Sequence, residues 1–275
     1  KRQDGGRPQP GCQRPCCRDL GPADVRHPVS LGIIDEHGRG HLIDATRAMG
    51  EQLRLWGHPP LSSVILTHAH VGHVDGLGLF GRETLNARSL KLYASQSMHT
   101  LIERTPQWAL MLDQGVFETE VTASGRVHAL SETVRLEAVE VPHRAELSDM
   151  HAFVVRGPNR SVLYLTDHDR WDDTLNHHDA PSIRAWLKDL NVDLALIDGT
   201  FWSSDELSGR SQLEVPHPPV SETLNRLGPR QKGDPEIYFI HLNHTNPVHD
   251  SASVEHATVL DHGWKVGEQG ATFTL

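Results

Sequence analysis

The sequence predicts a layered α/β fold built as one main domain. Short apolar runs of the kind found in strands alternate along the 275-residue chain with segments of helical spacing. No stretch repeats with a period of roughly 20 to 50 residues, as a solenoid or propeller would require. No low-complexity linker divides the chain, and its length is sufficient to bury a substantial core. One α/β domain is therefore the economical interpretation.

The first half of the chain predicts a hairpin followed by strands and helices in alternation. Apolar runs on both sides of "EHGRG" indicate a β-hairpin, and the helical spacing of "RAMGEQLRLWG" ends at Gly57. "LSSVILTHAH" is typical of a strand that runs into a histidine-rich loop, and "SLKLYAS" is typical of a second strand. "QSMHTLIERTPQWALML" predicts a helix interrupted near Pro106, because proline cannot continue a helix.

The second half of the chain repeats this alternation. Strands are predicted at "VRLEAVEV", "MHAFVVRG", "RSVLYLTD", "DLALIDGT" and "EIYFIHLN", helices at "SIRAWLKDLNV", "SETLNRLG" and "VEHATVLDHG", and a closing hairpin at "WKVGEQGATFTL".

Composition and charge restrict the kind of partner. The formal net charge of −10 argues against nucleic-acid binding, which requires a basic face, although it leaves a local basic patch open. We expect a small-molecule or peptide-like substrate. No run of about 18 apolar residues predicts a membrane span, and no signal peptide is recognisable. We therefore expect a cytoplasmic protein that does not bind membranes, or a periplasmic one if a presequence precedes this chain. The sequence leaves the oligomeric state open.

Residues that could bind a metal follow four separate apolar strands. They are His68 after "SVIL", His143 after "AVEV", Asp167 after "VLYL" and His241 after "IYFI". In α/β folds functional groups gather beyond the ends of strands, where loops meet over a fixed scaffold. The four strand ends are therefore expected to meet at one site.

The stretch "THAHVGH" carries the densest group of potential ligands. His68 and His70 are two residues apart, so both side chains point the same way in an extended segment. His73 follows where a helix begins, which would aim its side chain at a neighbouring ion. Imidazole nitrogens with a carboxylate are typical ligands of one or two ions in hydrolytic centres, with zinc favoured and iron or manganese as alternatives.

The three cysteines lie close together in residues 1–28, a segment rich in Gly, Pro and Cys that precedes the main domain at 29–275. Cys12, Cys16 and Cys17 form an odd set that is poorly suited to disulfides. One interpretation is a second metal site completed by a histidine or a water, and the other is a reduced surface loop.

These motifs together resemble the metallo-β-lactamase superfamily over roughly residues 30–275. "THAHVGH" resembles its His-x-His-x-Asp-His motif, and the resemblance implies an αββα sandwich of two mixed β-sheets with outer helices. It also implies that Asp44 in "LIDAT" supports the histidine loop. The implied ligands are His68, His70 and His143 at a first site, Asp167 as a bridge, and His73 and His241 at a second site.

Three further stretches resemble one branch of the superfamily. They are "QDGGRPQPGCQRPCC", "DHDRW" and "HLNHTNP", and the branch contains pyrroloquinoline quinone biosynthesis protein B and its relatives. The chain departs from the superfamily at Gly72, which stands where relatives have a metal-binding Asp. We therefore expect the second ion to bind weakly or not at all. The family's first strand normally precedes the "QDGG" region, so a preceding piece is expected to be missing from this chain.

Other residues have two interpretations each. Asp198 follows a buried strand and either caps the next turn or borders the site. His217 and His244 are candidate proton donors to a leaving group, and Asp169 competes with Asp167 as the bridging acid. Arg144, Glu146 and Asp149 form either a solvated turn or an outer support of the site.

We therefore expect a metal-dependent hydrolase that acts on an ester, amide or phosphoester bond. Asp167 would orient the attacking hydroxide or accept its proton, and His217 or His244 would protonate the leaving group. The first alternative, implied by the branch resemblance, is an iron-dependent oxidase or oxygenase of cofactor biosynthesis. The second is a degenerate member of the family that binds a small molecule or partner without catalysis.

Overall fold

The computed structural model describes residues 6–206 and 215–275, which form a four-layered αββα sandwich. Two β-sheets pack face to face, and helices cover the outer face of each sheet. Both sheets contain parallel and antiparallel strands, as the sequence predicts. The predicted fold class is therefore confirmed.

The helices and strands follow each other in the predicted alternation. The strands of the five-stranded sheet are β1 (Leu31–Ile34), β2 (Gly40–Ile43), β3 (Leu61–Ile65), β4 (Leu90–Ala94) and β5 (Phe117–Val121). Those of the seven-stranded sheet are β6 (Val127–Ala129), β7 (Arg135–Glu140), β8 (His151–Arg156), β9 (Ser161–Leu165), β10 (Leu194–Asp198), β11 (Glu236–Ile240) and β12 (Lys265–Val266). The α-helices are α1 (Pro15–Arg18), α2 (Met49–Trp56), α3 (Val71–Val74), α4 (Gln96–Arg104), α5 (Pro106–Asp113), α6 (Trp171–His177), α7 (Ile183–Asp189), α8 (Val220–Leu227) and α9 (Val254–Asp261).

The strand order brings the predicted site residues to one edge of the sandwich. In the first sheet, β2 and β3 are parallel neighbours, so their carboxyl ends lie side by side. In the second sheet, β9, β10 and β11 are parallel neighbours. Strand β7 has the same direction because two antiparallel pairings separate it from β9. The loops after these six strands therefore meet at the same edge.

Residues within the central strands alternate between two buried surfaces. In β2, Ile43 packs in the core between the sheets, whereas Leu42 packs against the outer helices. In β10, Leu196 faces the other sheet and Ile197 faces the helices of the second outer layer. A strand covered on both faces is a nearly continuous apolar run, and each fully buried aliphatic side chain contributes roughly 1.5–3 kcal/mol.

Local sequence determines where individual helices end. Helix α2 stops at Gly57, whose φ of 82° is the left-handed conformation that favours glycine. Pro106 separates α4 from α5 and occupies the first turn of α5, where its missing N–H costs no hydrogen bond.

The predicted C-terminal hairpin is wrong. Strand β12 contains only two residues and pairs in parallel with β11, and residues 267–275 form no strand. Phe273 and Leu275 instead pack against the core between the sheets. No helix within 6–206 and 215–275 is long and apolar enough to cross a membrane.

The N-terminal segment contains a short backbone pairing of its own. Arg7 and Arg26 form an antiparallel bridge in which each backbone N–H donates to the other carbonyl over 2.7 Å. Helix α1 lies between them and carries Cys16 and Cys17. The division at residue 28 stays a prediction.

Candidate metal centre

The loops after the strands bring six histidines together around Asp167. The side chains form three overlapping groups, and within each group the ligand atoms lie within 4.8 Å of one another. These groups are His68, His70 and His143; His68, His73 and Asp167; and Asp167, His217 and His241. All but His70 are fully buried.

The first group presents three imidazole nitrogens to one point. His68 Nε2 lies 2.9 Å from His70 Nδ1, and His143 Nε2 lies 3.2 Å from the same atom. Nitrogens bound to a tetrahedral zinc ion at about 2.0 Å are about 3.3 Å apart, so the spacing fits a single ion. The three histidines therefore fit the first metal site that the sequence predicts.

An oxygen atom contacts the other ring nitrogen of each of these histidines. Thr67 Oγ1 lies 3.0 Å from His68 Nδ1, and Glu146 Oε2 lies 3.2 Å from His70 Nε2. Such contacts fix the ring orientation and the tautomer of a metal-binding histidine.

The two acids in "TDHD" have different roles, because Asp169 supports His143 from outside and Asp167 lies within the centre. Asp169 Oδ1 lies 2.9 Å from His143 Nδ1, on the side of the ring that faces away from the centre. Asp167 lies among the histidines and is 1% exposed. The structure therefore places Asp167, not Asp169, where a bridging carboxylate is expected.

Three further histidines surround Asp167 on its other side. His73 Nε2 lies 3.3 Å from Asp167 Oδ2, and His217 Nε2 lies 3.8 Å from Asp167 Oδ1. His241 Nδ1 lies 3.7 Å from Oδ2 of the same carboxylate. His217, predicted as a proton donor, thus lies among the potential ligands.

Asp44 holds two histidines of the centre in position. It accepts a hydrogen bond from His73 Nδ1 over 2.8 Å, and the hydroxyl of Thr67 donates to it over 2.9 Å. Because this hydroxyl uses its proton on Asp44, its lone pairs can accept from His68 Nδ1. One buried carboxylate therefore orients His73 directly and His68 through Thr67, as the supporting role implied for Asp44 requires.

Asp198 repeats this arrangement on the other side of the centre. His217 Nδ1 donates to Asp198 Oδ2 over 2.6 Å, and the hydroxyl of Thr200 donates to Asp198 Oδ1 over 2.6 Å. Thr200 Oγ1 lies 3.1 Å from His241 Nδ1. Asp198 also accepts the backbone N–H of Thr200, so it both caps the turn and supports the site.

Two residues of the centre have unusual backbone conformations. Asp44 and His241 have φ values of 64° and 60°, in the left-handed region that non-glycine residues seldom adopt. Such strain persists where the surrounding structure enforces it, and it is concentrated at functional sites.

Burial and charge set the protonation of the centre. Burial lowers the pKa of His68 far below its ordinary value and that of His70 to about 4. Burial would raise the pKa of Asp167, but the surrounding histidines, first His241 and His73, hold it well below its usual range. His68 and His70 therefore present neutral imidazoles, and Asp167 presents an ionised carboxylate, at neutral pH, which is the state that binds cations.

Gly72 is a buried residue of α3 and lies between His70 and His73 in the sequence. It offers no side-chain ligand at the position where the superfamily has an Asp. The described residues around the second position are His73, Asp167, His241 and, in addition, His217.

The three cysteines form a separate cluster with His244. Their sulfur atoms and a ring nitrogen of His244 lie within 4.8 Å of one another. The three cysteines are thiols and not disulfides, and burial, followed by the charge of Cys17, raises the pKa of Cys16 to about 11. Three thiols and one imidazole match the Cys₃His set of structural zinc sites. This placement disagrees with His244 as a proton donor, because its ring belongs to the cysteine cluster.

Sequence reasoning missed the threonines and the role of Asp169. Thr67 precedes His68 and Thr200 follows Asp198 by two residues, but neither spacing distinguishes a hydroxyl that orients a ligand from an ordinary turn residue. Their partners Asp44 and His241 are distant in the sequence and come into contact with them only when the strand ends meet.

The comparisons with known proteins agree with this fold. The family model described as "Beta-lactamase superfamily domain" matches residues 39–242, so the chain belongs to the metallo-β-lactamase superfamily. Within it the chain is similar to the coenzyme PQQ synthesis protein B of Xanthomonas campestris pv. campestris, with 28% identity over 98% of this chain and 96% of the relative. The relative from Xanthomonas oryzae pv. oryzae is 27% identical over the same shares of the two chains.

Solved structures show the same fold. The Zn²⁺-bound PqqB from Methylobacterium extorquens has a TM-score of 0.76 at 20% identity and covers 98% of this chain and 96% of its own. A diphosphatase from the PhnP family has a TM-score of 0.67 at 20% identity, with 96% of this chain and 90% of its own covered.

Proposed function

We propose that this protein is a metal-dependent hydrolase of an ester, amide or phosphoester bond. The observation that carries the proposal is the convergence of histidine nitrogens on Asp167. The outer nitrogens of His68, His70, His73, His143 and His217 each contact an oxygen atom of a neighbouring side chain. A set of donors oriented in this way is what a catalytic metal site requires.

The proposed ligands are His68, His70 and His143, with Asp167, His73 and His241 available to a second ion. A zinc ion held there, or iron or manganese, would act as a Lewis acid and lower the pKa of water. Asp167 would orient the attacking water and accept its proton, because its ionised carboxylate lies between the two groups of histidines.

His217 is the proposed proton donor to the leaving group. Burial lowers its pKa, but the carboxylate of Asp198 at 2.6 Å and that of Asp167 outweigh burial and raise it above the ordinary value. A histidine with a raised pKa keeps its proton near neutral pH, as a general acid must.

The test is a panel of phosphodiester, ester and lactam substrates assayed with protein loaded with zinc, manganese or iron. We expect one substrate class to be hydrolysed, and we expect His68→Ala to abolish the activity. The exposed His177 provides a matched control, His177→Ala, which should leave the rate unchanged. Absence of hydrolysis across the panel with every metal would refute the proposal.

A second candidate function is an oxidation step in cofactor synthesis that uses iron. It is favoured by the similarity of nearly the whole chain to coenzyme PQQ synthesis proteins. The same histidines and carboxylate suit Fe(II). Iron in protein expressed without added metal, together with oxygen consumption, would support oxidation, whereas zinc without oxygen consumption would support hydrolysis.

The cysteine cluster is proposed to bind a structural zinc ion. Cys12, Cys16 and Cys17 would be deprotonated on binding, and His244 would tie the N-terminal segment to the loop after β11. Elemental analysis of Cys12→Ser should show one zinc ion fewer than the wild type. An unchanged metal count would disprove this site.

A further inference from the structure

Arg144 places a permanent positive charge beside the first group of histidines. It follows His143 on the loop between β7 and β8, and its Nη2 lies 3.5 Å from His70 Nδ1. Its side chain is only 16% exposed. The guanidinium group is therefore largely buried at the rim of the centre.

The guanidinium group lacks a close carboxylate partner within the described ranges. The ion pair found for Arg144 there joins Nη1 to Glu146 Oε1 at 4.0 Å, the outer limit of such a contact. Its Nε is buried and has no hydrogen-bond partner among the same residues. A buried charge with unmet donors is costly, so structures seldom keep one unless it has a ligand or a catalytic task.

The loop that carries Arg144 is fixed at both ends. The backbone N–H of Arg144 donates to Asp169 Oδ1 over 3.3 Å. At the far end, Ser148 Oγ accepts the N–H of Ala69 over 3.0 Å, and Asp149 accepts the hydroxyl of Ser97 over 2.5 Å. The position of Arg144 is therefore set before any ligand binds, which reduces the entropic cost of binding.

We infer that Arg144 binds an anionic group of the substrate, a carboxylate or a phosphate, on the His70 side of the centre. The inference rests on the proposed function and specifies its substrate class as small anionic molecules. The donors of a guanidinium group match two oxygens of either anion in a bidentate contact. A bound anion would also offset the repulsion between Arg144 and a cation at His70.

The test measures binding of inorganic phosphate and of malonate by titration calorimetry, with metal-stripped and with zinc-loaded protein. We expect Arg144→Gln to weaken binding of at least one of the anions tenfold or more. Arg144→Lys should give an intermediate loss, because lysine keeps the charge but not the bidentate geometry. The control is Arg54→Gln, which removes the same charge from an exposed ion pair on α2 and should change nothing. The anion that is more sensitive to Arg144 identifies the substrate group.

Two results would overturn the inference. One is equal anion binding by wild-type protein and Arg144→Gln, including no binding by either. The other is loss of zinc from folded Arg144→Gln or Arg144→Lys, because Arg144 would then stabilise the centre itself.

Kinetics separate this inference from the proposed function. With an anionic phosphodiester, Arg144→Gln should raise KM about tenfold, and with a neutral ester KM should change less than about threefold. Hydrolysis without this difference would refute the role of Arg144 alone. Failure of the whole substrate panel, with anion binding that still depends on Arg144, would refute hydrolysis alone.

Discussion

At the scale of single residues, two buried aspartates organise the centre by the same arrangement. Asp44 and Asp198 each accept from one histidine directly and from one threonine hydroxyl, which in turn faces a second histidine. Each hydroxyl orients the second histidine because it donates its proton to the aspartate and can accept a hydrogen bond from the ring at the same time. The threonines therefore orient the histidine rings although they are not themselves among the potential ligands.

Thr200→Val should weaken metal binding while keeping the fold. Valine has nearly the same shape but cannot accept from His241 Nδ1. Loss of such an outer contact typically costs about 10- to 100-fold in metal affinity. Competition with a chromophoric zinc chelator measures the change. Thr258→Val on α9, where the hydroxyl donates only to a helix carbonyl, should leave zinc affinity unchanged, and equal affinities for all three proteins would contradict the prediction.

Gly72→Asp should strengthen binding of the second ion. The substitution returns a carboxylate next to His73, which faces Asp167 across 3.3 Å. Titration calorimetry should show a second binding event that is tighter than in the wild type. Gly72→Asn provides a control of almost equal size without charge. If both variants bind the second ion as the wild type does, Gly72 is not what limits that site.

At the scale of elements, the sequence predicted most strands and helix ends because their signals are local. Gly57 and Pro106 act through their own backbone conformation, and they end or begin helices as expected. The prediction of a C-terminal hairpin was wrong because the contacts of that segment are not local. The apolar residues Phe273 and Leu275 find their partners in the core between the sheets, and alternation within a segment does not reveal which surface covers it.

Helix α4 connects the outer layer to the loop that carries Arg144. Ser95 accepts the N–H of Met98 at the start of α4, and its hydroxyl donates to Asp149. Ser182 caps α7 in the same way without contact to that loop. Each serine-to-alanine change should lower the free energy of unfolding by about 1 kcal/mol.

Only Ser95→Ala should also weaken binding of the anion, phosphate or malonate, that depends on Arg144, because it loosens one end of the Arg144 loop. Chemical denaturation and titration calorimetry of both variants test this. Equal affinity for that anion in Ser95→Ala and Ser182→Ala would show that α4 does not position the loop.

At the scale of the whole molecule, buried histidines make stability depend on pH. Burial lowers the pKa of His70, His168 and His249 to about 4, below the ordinary value of 6.5. Below pH 6.5 the unfolded chain takes up protons that the folded protein refuses until about pH 4. The free energy of unfolding therefore falls as the pH is lowered through this window.

Metal-stripped protein should show this loss in chemical denaturation between pH 7 and pH 4. His168 alone should contribute roughly 3 kcal/mol at pH 4, because its pKa shift is large and its side chain is fully buried. His168→Gln should therefore reduce the slope. A free energy of unfolding that stays constant over this range would contradict the assigned burial of these rings.

The sequence by itself determined the alternation of elements, the superfamily and the residues that could serve as ligands. These properties lie in short stretches such as "THAHVGH", where spacing and residue type are sufficient. The tertiary structure decided which nitrogen of each histidine faces the centre and which acid of "TDHD" joins it. It also decided that His244 lies with the cysteines and that Arg144 lies beside His70. These choices depend on contacts between residues far apart in the chain, and such contacts form only when the carboxyl ends of the strands meet at one edge.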